Sequence, residues 1–119
     1  LGKITQVILN DGERAVYEKA YRKFLYLYPD GIKYPVKFFV SEDNKTACHG
    51  FAGTDDRQFK EIWIARFNFA RGEREVLKTL VHERRHCVSQ AQDYCAAFDD
   101  QADSDEADLA VRFCPKDKE

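Results

Sequence analysis

The stretch TLVHERRHCVSQ, residues 79–90, decides how this chain is read. It holds two of the three histidines within five positions, with a glutamate directly after the first. Around it Val76, Leu77, Leu80, Val81, Val88, Ala91 and Cys95 form one apolar stripe at about 100° per residue. That periodicity predicts a long helix from about Glu73 through about Tyr94. Four helical residues turn about 400°, so the imidazoles of His82 and His86 emerge ~40° apart on one face, one turn apart. They point roughly opposite the apolar stripe, which leaves one side of the helix for the core and another for chemistry. Arg84 falls within the stripe. Its stem is expected to snorkel to an edge, the sharper alternative being a buried pair with an acid.

His82-Glu83-Arg84-Arg85-His86 is an H-E-x-x-H pattern. Two imidazoles on neighbouring turns suit one zinc ion, and a catalytic site completes the set with a third protein ligand and an open position. Glu83 sits ~100° round from His82. There it flanks the ion, placed to take a proton from water activated at the metal. The bland alternative is a polar helix face with two solvated histidines.

The third ligand has to come from elsewhere. No histidine follows His86, and Ser89 and Gln92 stand where a longer zinc pattern needs glycine and histidine. Cys87 and Cys95 point ~120° or more away from the histidines and read as core thiols or disulfide halves. The acids between Asp93 and Asp108 remain, with Cys114. The stretch DDQADSDEADLAVRF, residues 99–113, predicts another helix, Ala102 to Phe113, ending before Pro115. Acids near a helix start are favoured by its dipole, which explains most of these carboxylates. Glu106 differs, because it lies amid the apolar face of Ala102, Leu109, Ala110 and Phe113. An inward carboxylate needs a cation or a metal. We therefore read Glu106 as the third metal ligand, with Asp103 or Asp99 as fallback and a pair with Arg84 or another base as the alternative. The acids lack the glycine of a calcium loop.

The rest of the chain frames this helix. Asp11 is the expected N-cap of a first helix carrying Val16, Ala20, Phe24 and Leu27, ended by Pro29-Asp30-Gly31. Three strands are expected next: Val36 to Val40, a weaker Thr46 to Ala52, and Glu61 to Phe69. In the last, Ile62, Ile64, Arg66 and Asn68 alternate with Trp63, Ala65, Phe67 and Phe69. Gly53 to Asp56 is expected to turn between the last two. Helix, three strands, helix, helix is an α+β layout on an antiparallel or mixed sheet.

At 119 residues the chain is expected to form one domain. Charged residues make up 34% and the net charge is -2, with no dense basic block, so no nucleic-acid partner is expected. No apolar run approaches the ~18 residues of a membrane span. A monomer is expected. The chain starts at Leu1 instead of methionine, from which we expect trimming upstream. Cys48, Cys87, Cys95 and Cys114 allow two disulfides, but reduced thiols are preferred. A cytoplasmic protein is favoured, with a secreted one as the alternative.

In layout, Asp11 to Phe113 resembles the zincin metallopeptidases, and the downstream glutamate resembles the gluzincin group. Glu106-Ala107-x-x-Ala110 also looks like the E-A-x-x-A signature of small ImmA/IrrE-type peptidases. The resemblance implies a zincin-like fold with His82, His86 and Glu106 as zinc ligands and Glu83 as general base. Ala110 departs from larger gluzincins, which carry there an aspartate that orients a ligand; Asp103 is a candidate for that task. The expected function is a zinc-dependent endopeptidase acting on a protein or peptide. Its substrate would pair with a strand near Thr46 to Ala52 or Glu61 to Phe69. Tyr94 and His49 are candidate oxyanion donors, each with a bland alternative in packing or in a plain strand. The main rival is a catalytically inactive, zinc-stabilised binding module of the same fold, favoured if Cys114 or His49 filled a fourth position. A metal-free polar network is the third possibility.

Overall fold

A computed structural model describes residues 3–41, 50–55, 58–90 and 112. In chain order the elements are β1 (Ile4–Gln6), α1 (Asp11–Leu27), β2 (Val36–Ser41), β3 (Gly50–Asp55), β4 (Gln58–Ala65) and α2 (Glu73–Ser89). Short 3-10 segments follow α1 (Pro29–Lys33) and β4 (Arg66–Arg71). The architecture is α+β. No helix among the described residues is long and apolar enough to cross a membrane. The expected third helix, Ala102 to Phe113, lies outside the described residues apart from Arg112.

Helix α1 starts one residue earlier than its sequence suggests. Asn10, not Asp11, is the cap. Its side-chain oxygen accepts the Glu13 N–H at 2.8 Å, while the Glu13 carboxylate accepts the Asn10 N–H at 2.9 Å. This reciprocal pair satisfies two of the orphan donors at a helix start. Asp11 becomes a first-turn acid, favourable to the helix dipole. The buried face of α1 carries Ala20 and Phe24. Its chain exit is tight: a β-carbon at buried Gly31 would run into the Phe24 ring.

Among the described residues the sheet has four strands in the order β1-β2-β4-β3. β1 pairs antiparallel with β2, β2 parallel with β4, and β3 antiparallel with β4. β1 has only three residues, too few for alternation to reveal it. β3 continues through Gly53 and Thr54, where a turn was expected. A register irregularity between those two residues absorbs the mismatch. β4 stops at Ala65, not Phe69. Beyond it Asn68 and Phe69 are both buried in the 3-10 segment, so the two-faced alternation does not extend there. Asn68 bonds to Thr79 at 2.8 Å, and the Phe69 ring sits edge-on to Phe38, 5.6 Å between centroids. Side-chain packing therefore overrides a pattern that only mimicked a strand.

One face of the sheet carries the core. Ile62 and Ile64 of β4 join Ala20 and Phe24 of α1 and Val76, Leu77, Leu80 and Val81 of α2 in one buried cluster. Each of these side chains other than Ala20 contributes about 1.5–3 kcal/mol on burial. On the opposite face Phe39 meets Trp63, and Glu61 accepts hydrogen bonds from Lys37 and the Trp63 indole. Arg84, expected to snorkel to an edge with an acid pair as the alternative, is paired, and the pair is only partly buried. Its guanidinium grips Asp30 with bonds of 3.0 and 3.1 Å and lies 4.1 Å from the Tyr28 ring centroid. The planar fork suits both contacts, so the charge leaves the apolar stripe without being stranded. Val88 also departs from the stripe, being exposed.

Candidate metal centre

α2 spans Glu73–Ser89 and ends where Gln90 takes the left-handed conformation at φ 55°, its N–H bonded to the His86 carbonyl. The expected continuation to Tyr94 lies outside the described residues. The Gln90 carboxamide fixes this end. It accepts the Phe59 N–H at 2.8 Å, donates to the Phe59 carbonyl at 2.9 Å and donates to the Cys87 carbonyl. A side-chain amide thus pairs with β4 as a neighbouring strand would.

Within α2 the histidines lie as helix geometry requires. Their Nε2 atoms are 3.1 Å apart and their ring centroids 4.9 Å. The Glu83 carboxylate comes within 3.9 Å of His82 Nε2. One donor atom from each of the three residues lies within 4.8 Å of the other two. Glu83 and His86 are buried and His82 is half-buried. Two zinc–nitrogen bonds of about 2.0–2.1 Å at a tetrahedral angle would set the nitrogens about 3.3 Å apart. The observed separation suits such a pair, and a buried carboxylate beside it favours a cation. The donor set therefore fits zinc.

The burial of this face was not legible from its polarity. Thr79, one turn before Glu83, is also buried. Gly50 of β3 covers both: a β-carbon there would fall 2.6 Å from Thr79 Cγ2 and 3.7 Å from Glu83 Cγ. Asn68, Thr79 and Gly50 thus belong to the surroundings of the site. The one usable sequence signal was the glycine that weakens the expected second strand, because a glycine inside a strand marks close backbone approach.

Cys87 is a buried free thiol with Sγ 3.8 Å from the Glu61 carbonyl. Burial, and then the charge of Glu83, push its pKa up to about 12. Of the two expectations for this residue, the core thiol is the one observed. Glu106, the proposed third ligand, lies outside the described residues, as do the fallbacks Asp103 and Asp99. The same holds for Cys48, Cys95, Cys114, His49 and Tyr94.

Comparison with known proteins adds no relative: no family model, curated protein or solved structure matches this chain.

Proposed function

We propose that this chain is a zinc-dependent endopeptidase with a zincin-like, gluzincin-type organisation. The observation that supports it is the packing of His82, Glu83 and His86 within 4.8 Å of one another beside an edge strand. His82, His86 and Glu106 would hold the ion. Zinc, when bound, would supply a Lewis acid that polarises the scissile carbonyl and acidifies water. Glu83 accepts the proton of the attacking water and passes it to the leaving amine. Its burial keeps bulk water from competing for that proton.

The sheet order narrows the choice of substrate strand. β4 lies between β2 and β3, with β2 paired along Ile62–Ala65 and the Gln90 amide bonded to Phe59 on the earlier part. Among the described residues β3 is at an edge of the sheet, and a β-carbon at its Gly50 would fall 3.7 Å from Glu83 Cγ. An extended peptide adding to β3 would run alongside the general base.

Metal analysis and a Glu83→Gln variant test this reading together. Purified protein should carry about one zinc, and chelation should abolish peptide hydrolysis. Glu83→Gln should keep the metal and lose about 10²- to 10⁴-fold in turnover; full turnover in that variant removes the general base. Glu106→Ala should lower zinc content, and unchanged content moves the ligand to Asp103, Asp99 or Cys114. Wild-type protein that holds zinc but cleaves no peptide would instead be a binding module.

A further inference from the structure

We infer that Gly50 and Thr79 are positioning residues for Glu83. By letting β3 lie directly on α2, they set the distance between the general base and the edge along which a peptide pairs. The inference rests on the peptidase reading above.

Gly50 opens β3 opposite Ile64, a residue of the helix-facing side of β4. A β-carbon at Gly50 would come 2.6 Å from the Trp63 carbonyl oxygen as well as 2.6 Å from Thr79 Cγ2. Neither the backbone atom nor a buried methyl can give way freely, so no side chain fits. Gly72 is the described glycine with positive φ; Gly50 is not. Gly50 is therefore needed for room, not for an unusual backbone conformation.

Thr79 is held from the other side. Its hydroxyl accepts from the fully buried Asn68 amide at 2.8 Å and donates to the Glu75 carbonyl at 3.0 Å. Asn68 is itself fixed by Arg71 Nη1 at 3.1 Å. These bonds lock the Thr79 rotamer and leave its methyl against Gly50. Glu83 lies one turn further along the same side of α2, where a β-carbon at Gly50 would fall 3.7 Å from its Cγ. The strand and the methyl meet at a spacing set by a missing side chain, with the carboxylate stem one turn away on the same side of the helix. A displacement of about 1 Å between reacting groups can cost a hundredfold in rate.

The test uses the full chain with Gly50→Ala, Thr79→Ser and the double variant, measuring zinc content, kcat and KM on a peptide cleaved by the wild type. Amide hydrogen exchange of residues 50–55 provides a readout independent of turnover. Gly50→Ala should keep wild-type zinc content and a KM within about threefold, lose at least about tenfold in kcat, and exchange at least about tenfold faster in β3. Adding Thr79→Ser removes one of the two clashes and should recover part of both losses. Unchanged exchange in Gly50→Ala overturns the inference, as does unchanged kcat or a loss that Thr79→Ser does not reduce. If the wild type binds zinc but cleaves nothing, the peptidase reading falls. Hydrogen exchange alone then decides whether Gly50 seats β3 on α2.

Discussion

Helix α2 has two buried faces closed by different means. Toward the core, Val76, Leu77, Leu80 and Val81 are almost fully excluded from water among other apolar side chains. Toward β3, Thr79, Glu83 and His86 are nearly as buried, yet every one is polar. The first face is closed by non-directional packing, which tolerates exchanges of similar volume. The second is closed by directed hydrogen bonds and by a glycine that lets the strand approach. An amphipathic pattern therefore identifies which face forms the core, but it does not establish that the other face is wet.

Substitutions on the two faces should separate stability from chemistry. Leu80→Ala is expected to have the largest effect on folding, about 2–5 kcal/mol in urea unfolding, because a fully buried side chain leaves a cavity. His86→Ala should lose zinc while costing much less stability; equal losses of stability would erase the distinction between the faces. Gln90→Ala, at the end shared by both faces, removes the amide clamp on Phe59 and should cost about 1–3 kcal/mol. Faster hydrogen exchange confined to the last turn of α2 and the start of β4 would sharpen the comparison.

The smallest effect is expected away from both faces, at the exposed start of α1. The hydrogen bond from Arg66, and then that from the Asn10 N–H, hold the Glu13 carboxyl below its ordinary value of 4.5. A folded-state pKa below the unfolded one contributes stability above about 4.5 that is lost as pH falls through the folded value. The stability difference between wild type and Glu13→Gln should thus be greatest near neutral pH and shrink in acid. A difference independent of pH, followed by thermal unfolding, would assign the effect to capping geometry instead of charge.

Long periodic segments were the most legible. The apolar stripe of α2, the α1 segment and the alternation within β4 are readable because each repeats its period over enough residues to outweigh chance, whereas β3 showed only weakly and its Gly53 and Thr54 read as a turn. β1 was not legible, since three residues repeat nothing. Residues 66–69 continued an alternation that the buried Asn68 amide and the Phe69 ring broke. Arg84 marked itself as an anomaly, but its partner Asp30 is 54 positions away. Within the candidate site, His82, Glu83 and His86 were legible because one helix carries them all. Asn68 was not, and Gly50 showed only as a glycine inside a strand, since nothing local connects either to Glu83.

The sequence by itself determined what lies close along one chain segment: the helix, the spacing of its two imidazoles and the carboxylate between them. These follow from a fixed rise and turn per residue. Tertiary structure alone decided that β3 is an edge strand among the described residues, that Gly50 lies against Thr79 beside Glu83, and that Arg84 meets Asp30. Such contacts depend on how separate elements close on one another, and no short-range period encodes that closure.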